Sequence, residues 1–182
     1  MNKIAPWLTV ASKYIHRDSF LTLRQDTRQS PGFGQHDFYI LEFPDWANVV
    51  AVTEDQELIL VRQFRHGLAE VNLEIPGGIV DAGEKPSTAA SRELQEETGY
   101  APAHLELLTS VSVNPAIQSN WCHLFLATGC LRVGDQNLEG TESIAVELVP
   151  LKDLPDILKT GRIHHSLNYL ALTLAHSKLS AQ

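Results

Sequence analysis

The segment Gly78–Tyr100 reads GIVDAGEKPSTAASRELQEETGY, and it decides how the rest of the chain is interpreted. Proline is favoured at the first position of a helix, as at Pro86, and glycine is favoured just after the last turn, as at Gly99. The segment therefore predicts a helix from Pro86 to Thr98. Its second half carries three acidic residues, Glu93, Glu96 and Glu97. Because residues three and four apart are neighbours on a helix surface, these carboxylates share one face.

This acidic face is unfavourable unless something neutralises it. Like charges at these spacings destabilise a helix by roughly 0.2–0.5 kcal/mol per pair, and the helix dipole disfavours acids near the C-terminus. No lysine or arginine follows Arg92 within the predicted helix. Oxygen ligands without His or Cys beside them favour Mg²⁺ or Mn²⁺ over Zn²⁺. A hard divalent cation would satisfy the carboxylates, and an ordinary solvated helix face is the alternative that spacing alone leaves open.

The same segment resembles the Nudix box. That box is a glycine, five residues, a glutamate, seven residues, Arg-Glu, a bulky apolar residue, any residue, Glu-Glu, any residue, a glycine and a bulky residue. Its positions are matched by Gly78, Glu84, Arg92, Glu93, Leu94, Glu96, Glu97, Gly99 and Tyr100. The resemblance implies an α/β (α+β) fold, namely a Nudix α/β/α sandwich with a mixed sheet, together with an N-terminal antiparallel β-sheet.

The resemblance also implies the metal ligands. Glu93, Glu96 and Glu97 would hold divalent ions that bridge a substrate pyrophosphate, and Glu96 and Glu97 also count as catalytic residues. The backbone carbonyl of Gly77, or that of Gly78, would add a ligand. Such ions neutralise phosphate oxygens and activate or orient a water. The expected cofactor is therefore Mg²⁺, with Mn²⁺ as the alternative.

Two arginines near the box are expected to play different parts. The resemblance implies a structural ion pair between Arg92 and Glu84 that pins the loop to the helix. Arg65 follows a predicted strand, Glu57–Phe64, and the segment VRQFR resembles one that precedes the box in nucleoside diphosphate sugar pyrophosphatases, where an arginine faces the substrate. A planar guanidinium suits bidentate phosphate contact, so Arg65 is the expected substrate-binding residue. The alternative for Arg65 is a solvent-exposed position at the end of the strand. Two interpretations stay open for Glu74: a contact with substrate, or simple exposure to solvent.

Two features after the box bear on the substrate and the base. Pro115 lies sixteen residues beyond Gly99, a position that resembles the ADP-ribose pyrophosphatase subgroup. Its neighbours are Asn and Ala rather than the subgroup's commoner Ser and Gly, which leaves a nucleoside diphosphate hexose open as substrate. In the family a catalytic base or further metal ligand often comes from a glutamate on a late loop. Glu142, just before a predicted strand, is the expected base, and Glu139 is the second choice. The alternative is that Glu142 is an ordinary exposed acid of the loop.

The sequence predicts two regions in the chain. Residues 1–45 are rich in short strands that cannot make a stable core alone, so they must pack on another surface. Chains that resemble ADP-ribose pyrophosphatases use such a sheet to dimerise, which implies a homodimer and a dimerisation and base-binding role. Residues 46–182 are the expected Nudix hydrolase domain. It ends in a helix over Leu151–Lys159, broken at Pro155, and a last helix over His165–Leu179.

Composition narrows the classes of partner. The net charge is −8 with no basic run, which argues against nucleic-acid and anionic-membrane binding. No stretch approaches the roughly 20 apolar residues of a membrane span. Cys122 and Cys130 are expected to be buried thiols rather than a disulfide, which fits a reducing compartment and predicts a cytoplasmic protein.

The expected activity is Mg²⁺-dependent hydrolysis of the pyrophosphate bond of ADP-ribose or a related nucleoside diphosphate sugar, giving a nucleoside monophosphate and a sugar phosphate. Three alternatives stay open. One is a Nudix hydrolase of another nucleoside diphosphate derivative, such as GDP-mannose or a dinucleoside polyphosphate. The second is a non-catalytic Nudix ligand sensor, and the third is an interaction protein with an acidic helix.

Overall fold

The structure is a computed structural model that describes residues 4–138 and 140–181. Within these residues the strands are β1 Leu8–Arg17, β2 Thr22–Ser30, β3 Gly34–Glu42, β4 Trp46–Thr53, β5 Glu57–Arg65, β6 Glu70–Glu74, β7 Gly77–Ile79, β8 Tyr100–Ala101, β9 His104–Ser112, β10 Trp121–Arg132 and β11 Ile144–Pro150. The α-helices are α1 Pro86–Thr98, α2 Leu154–Lys159 and α3 Ser166–Leu179, and a short 3-10 helix, Leu151–Asp153, precedes α2.

Helix α1 has the bounds that the sequence predicted. Pro86 lies in its first turn, where a missing N–H leaves no intrahelical bond unmade. Gly99 ends the helix in a left-handed conformation, with φ at 77°, and its N–H donates to the carbonyl oxygen of Gln95 at 2.8 Å. The apolar face of the helix is buried, and it consists of Ala89, Ala90 and Leu94. Glu97, three residues after Leu94, is buried as well, so the acids adjoin this apolar face.

A mixed sheet of eight strands supports α1. The strand order is β11-β5-β4-β10-β8, with β6 paired to β5, β7 to β4 and β9 to β10. The central pair, β4 and β10, is parallel, whereas β5 runs antiparallel to both β4 and β11. The mixed sheet predicted from the sequence is confirmed.

Strand β4 is buried on both of its faces. Ala47, Val49 and Ala51 belong to the core cluster that contains the apolar face of α1. The intervening Val50 and Val52 are also buried, and α3 contacts β4 as well. Because successive strand residues point to opposite faces, the sheet carries helices on both sides. This arrangement is the expected α/β/α sandwich.

The N-terminal strands form a separate antiparallel sheet in the order β1-β2-β3. By contacts, the chain separates into two compact units: one comprises the described residues of Met1–Pro44 with Ser112–Trp121, and the other comprises Asp45–Val111 with the described residues of Cys122–Gln182. The N-terminal antiparallel sheet is confirmed, with longer strands than the sequence indicated. The assignment of residues 1–45 to dimerisation and base binding, and of residues 46–182 to hydrolysis, stays a prediction.

The C-terminal region differs from expectation at one proline. Pro155 was expected to break a helix, but it lies in the first turn of α2, where it starts the helix instead. The residues before it form the 3-10 helix Leu151–Asp153. Among the described residues, none of the helices has the length and apolar character needed to cross a membrane.

Candidate active site

The site is built where the short strand β7 approaches α1. Strand β7 pairs antiparallel with β4, with Gly78 opposite Ala47 and Gly77 opposite Asn48. A Cβ atom on Gly77 would lie 2.4 Å from the carbonyl oxygen of Ala47, so only glycine fits there. A Cβ atom on Gly78 would lie 2.5 Å from the carboxyl carbon of Glu93. The two glycines therefore let the strand come close enough for the acids of α1 to touch it.

Glu97 is the most deeply buried acid of α1. Its residue is 4% exposed, and its Oε2 accepts a hydrogen bond from the N–H of Gly77 at 2.9 Å. The pKa of Glu97 is raised to about 8, chiefly by burial and also by the negative charges of Glu93 and Glu142, while the Gly77 hydrogen bond and Arg65 act in the opposite direction. The positive charge near Glu97 therefore does not offset the cost of burying its carboxylate.

Arg92 holds the other two acids of α1. Its Nη1 donates to Glu93 Oε1 at 2.8 Å and to Glu96 Oε2 at 3.0 Å. Its Nε and Nη2 donate to the two carboxylate oxygens of Glu84 at 3.1 and 2.9 Å, so the expected ion pair is present. Nη2 also donates to the carbonyl oxygen of Ile79, which ties the helix to β7. Arg92 therefore connects the loop, the strand and the acidic face, a wider role than the single pair that the sequence predicted.

The electrostatics around Arg92 follow from these contacts. The Arg92 hydrogen bond lowers the pKa of Glu84, whereas burial raises the pKa of Glu93 despite its contact with Arg92. Hydrogen bonding to Glu84, followed by Glu93 and Glu96, raises the pKa of Arg92. The guanidinium is thus surrounded by carboxylates and stays charged, but one such cation does not neutralise all of them.

The donor set fits a hard divalent cation. No three of the described His, Cys, Asp and Glu side chains are already arranged to hold a metal ion, and Arg92 is bonded to two of the expected ligands. Even so, all three acidic side chains of α1 offer carboxylate oxygens, and the positive charge near buried Glu97 does not offset its burial. Rotation of Glu93 and Glu96 away from Arg92 would supply the oxygen ligands that Mg²⁺ or Mn²⁺ prefers.

Arg65 lies beside the acidic cluster and is held by Glu74. Its Nε and Nη2 donate to the two carboxylate oxygens of Glu74 at 2.9 and 2.7 Å, a bidentate pair. Glu74 is 1% exposed, so simple exposure, one of the two alternatives left open for it, is wrong. The side chain of Arg65 is 42% exposed, and the charges of Glu97 and Glu142 act on it after that of Glu74. Arg65 thus presents a fixed guanidinium on the side of the acids.

Glu142 lies in the loop immediately before β11. Its negative charge acts on Glu93, Glu97 and Arg65, which shows that the loop brings it near these residues. Glu139, the reserve base, lies outside the described residues. The structure therefore gathers Gly77, the acids of α1, Arg65 and Glu142 in one neighbourhood, while their roles in catalysis and binding stay predictions.

The sequence did not predict two buried polar contacts near the site. Glu74 had no recognised partner because Arg65 is nine positions away on a neighbouring strand. Asn168, on α3, accepts a hydrogen bond at Oδ1 from the N–H of Ile75 at 3.0 Å and is itself buried. Burial does not alternate along β6, where Asn72, Leu73 and Glu74 are all buried, so no period-two pattern indicated Glu74. No local signal connects Asn168 to Ile75 either.

Comparison with known proteins extends these observations. Residues 43–169 match the NUDIX domain family. The chain is 29% identical over 170 residues to an ADP-ribose pyrophosphatase of Bacillus subtilis, covering 90% of this chain and 92% of that protein. It is 30% identical over 156 residues to a CMP-5'-(N-acetyl-N-hydroxy-3-aminopropyl)phosphonate hydrolase of Streptomyces rubellomurinus, covering 86% and 75% of the two chains. A crystal structure of an ADP compounds hydrolase superposes with a TM-score of 0.86 at 23% identity, over 100% of this chain and 98% of that one.

Proposed function

The chain belongs to the Nudix family and is a pyrophosphohydrolase, and we propose that it hydrolyses ADP-ribose or a related nucleoside diphosphate sugar. The products would be a nucleoside monophosphate and a sugar phosphate. The observation that carries the proposal is the grouping of three carboxylates on one face of α1 with Arg65 and Glu142. The near full-length similarity to a protein named ADP-ribose pyrophosphatase supports the choice of substrate.

The proposed cofactor is Mg²⁺, with Mn²⁺ as a substitute. Glu93, Glu96 and Glu97 would hold it, with the backbone carbonyl of Gly77 as a further ligand. When bound, such an ion neutralises the diphosphate oxygens and lowers the pKa of a coordinated water. The deep burial of Glu97 supports this assignment, because a buried carboxylate is stabilised by a cation more strongly than an exposed one.

The protein's own residues would orient the substrate and move a proton. The bidentate bond to Glu74 uses one edge of the Arg65 guanidinium, so Nη1 remains available to donate to a phosphate oxygen. Glu142 is the proposed base, which accepts a proton from the water that attacks phosphorus as the P–O bond of the diphosphate breaks. A carboxylate on a loop suits this task, because the loop can close over bound substrate.

The proposed partner is a second copy of the chain. Strand β1 is an edge strand of the N-terminal sheet, and each of its residues is exposed. Its exposed side chains include Leu8, Val10 and Tyr14, and an exposed apolar edge strand is normally covered in a native assembly. A homodimer formed through this sheet would cover it. The buried free thiols Cys122 and Cys130 support a reducing, cytoplasmic setting.

A substrate panel tests the proposal. The purified protein is incubated with Mg²⁺ and with ADP-ribose, GDP-mannose, UDP-glucose or diadenosine polyphosphate, and the products are separated and weighed by mass spectrometry. We expect AMP and ribose 5-phosphate from ADP-ribose, no reaction in excess EDTA, and a loss of several orders of magnitude in kcat for Glu97→Gln. Tight binding of ADP-ribose without any product would instead indicate a ligand sensor.

Another nucleoside diphosphate derivative is the second candidate substrate. The relative from Streptomyces rubellomurinus is named for a substrate that joins CMP to a phosphonate, so a chain of this kind acts on a different base and a different leaving group. If the panel shows faster hydrolysis of a cytidine or guanosine derivative than of ADP-ribose, this candidate replaces the first while the same acids keep their roles.

A further inference from the structure

The loop that precedes Glu142 is bonded to the last turn of α1. The N–H groups of Val133 and Gly134 donate to the carbonyl oxygen of Gly99 at 2.8 and 3.3 Å, and the N–H of Asn137 donates to that of Glu96 at 2.9 Å. The last carbonyl groups of a helix have no partner within the helix. The loop supplies those partners and is thereby fixed to the helix that carries the acids.

The side chain of Gln136 bonds two backbone carbonyl groups at once. Its side-chain Nε2 donates to the carbonyl oxygen of Glu97 at 2.6 Å and to that of Ile144 at 3.1 Å. Glu97 is the buried acid of the site, and Ile144 is the first residue of β11. One amide group therefore joins the end of α1 to the start of the strand that follows Glu142.

This bridge closes the segment that contains Glu142. The segment begins at Asn137, whose N–H is bonded to α1, and it ends at Ile144, whose carbonyl is bonded to Gln136. Between these points Gly140 adopts a left-handed conformation, with φ at 51°, and Glu142 itself is exposed. Backbone bonds hold the two ends of this short loop separately, and the Gln136 side chain adds a direct tie between them, which further reduces the positions that the loop samples.

We propose that Gln136 is a positioning residue, which holds the loop of Glu142 against the end of α1 so that Glu142 reaches the acidic site. This inference rests on the proposed function, because it matters to the reaction only if Glu142 acts there. Gln136 does not touch the acid side chains: both of its acceptors are backbone carbonyl groups. Its removal therefore leaves the carboxylate ligands in place and changes the freedom of the loop.

The backbone contacts make this role separable from folding. When Gln136 is replaced, the bonds from Val133, Gly134 and Asn137 to α1 remain, since all three come from main-chain N–H groups. Ile144 remains paired with Gln63 in the sheet. A substitution at Gln136 is thus expected to leave the melting temperature and the affinity for Mn²⁺ close to those of the wild type.

The test compares Gln136→Met, which keeps the length of the side chain and removes its donors, with Gln136→Glu, which turns the donor into an acceptor facing two carbonyl oxygens. Asp135→Asn is the matched control, because Asp135 bonds Arg132 and lies outside the bridge. Three quantities are measured: kcat and KM for ADP-ribose with Mg²⁺, Mn²⁺ affinity by electron paramagnetic resonance, and amide hydrogen exchange of residues 140–144.

We expect kcat of Gln136→Met to fall about tenfold, the lower end of the loss seen when a partner that orients a metal-site residue is removed. KM and Mn²⁺ affinity should stay within about twofold, amides 140–144 should exchange faster, and Gln136→Glu should behave like Gln136→Met. Asp135→Asn should match the wild type. If the wild type is active and Gln136→Met shows the same kcat and the same exchange rates as the wild type, the inference about Gln136 is overturned and the proposed function is not. If the wild type hydrolyses nothing on the panel, the proposed function is overturned and the catalytic role of Gln136 with it, whatever the exchange rates show.

Discussion

Gly78→Ala is a small change that should disable the site without unfolding the protein. The added Cβ would lie 2.5 Å from both the carboxyl carbon and Oε1 of Glu93, and 2.6 Å from Oε2. Non-bonded carbon atoms rest at about 3.5 Å or more, so the carboxyl carbon must move by about 1 Å. The atoms in the way are the far end of a flexible side chain, so Glu93 can yield where a backbone atom could not.

The expected loss can be worked out from this displacement. A misplacement of about 1 Å in a catalytic arrangement reduces the rate by about 10²-fold, which corresponds to about 2.7 kcal/mol of lost transition-state stabilisation. The fold should lose far less, because the change breaks little more than the contact between Glu93 and Arg92, worth about 1–2 kcal/mol. We therefore expect kcat/KM to fall about 100-fold while the melting temperature shifts by a few degrees.

The assay measures kcat and KM for ADP-ribose with Mg²⁺, Mn²⁺ affinity, and thermal unfolding of Gly78→Ala. Gly67→Ala is the control, because no heavy atom lies within 4 Å of the Cβ it would add and its backbone is outside the left-handed region. Gly67→Ala should match the wild type in all three measurements. If Gly78→Ala retains kcat/KM and Mn²⁺ affinity within twofold of the wild type, Glu93 is not a ligand in the proposed position and the reasoning is refuted.

Three further predictions follow from the charges of the site. Arg65→Ala should lower the free energy of unfolding by about 2–3 kcal/mol in denaturant titrations, because it leaves buried Glu74 without its partner. The double variant Arg65→Ala/Glu74→Gln should recover stability but not activity. Equal stability of the single and double variants would contradict this prediction. The folded-state pKa of Glu97, about 8, lies above its ordinary value of 4.5, so the folded state holds the extra proton. The free energy of unfolding of the metal-free protein should therefore fall between pH 4.5 and 8, by up to about 1.4 kcal/mol per pH unit. Adding Mg²⁺ at pH 8, or replacing Glu97 in Glu97→Gln, should make that fall smaller. A melting temperature that rises over this pH range would count against the prediction. Arg92→Ala should lower the melting temperature, because Glu84 loses its bidentate partner, and an unchanged melting curve would show that the pair is not structural.

The features that the sequence predicted well are those with local causes. The bounds of α1 follow from Pro86 and Gly99, which act within a single turn of the chain. The common face of Glu93, Glu96 and Glu97 follows from helix geometry alone. The predicted strand Glu57–Phe64 also matches β5, which extends one residue further, to Arg65. Local signals of this kind do not depend on where the rest of the chain packs.

The features that the sequence did not predict depend on contacts between distant segments. In the register of β5 and β6, Arg65 lies opposite Glu70 and Glu74 lies opposite Val61, so this ion pair joins residues that are not direct cross-strand neighbours. The bridge from Gln136 to Glu97 spans 39 positions. Neither contact has a composition or spacing signal, because a buried carboxylate and a loop amide are recognised only once their neighbours are known.

The most direct test of the proposal is a crystal structure of the protein with Mg²⁺ and α,β-methylene ADP-ribose, whose diphosphate linkage cannot be hydrolysed. We predict metal ions on the carboxylates of Glu93, Glu96 and Glu97, with the guanidinium of Arg65 bonded to a phosphonate oxygen. Metal ions bound at other residues, or a nucleotide whose diphosphate lies away from these three side chains, would contradict it.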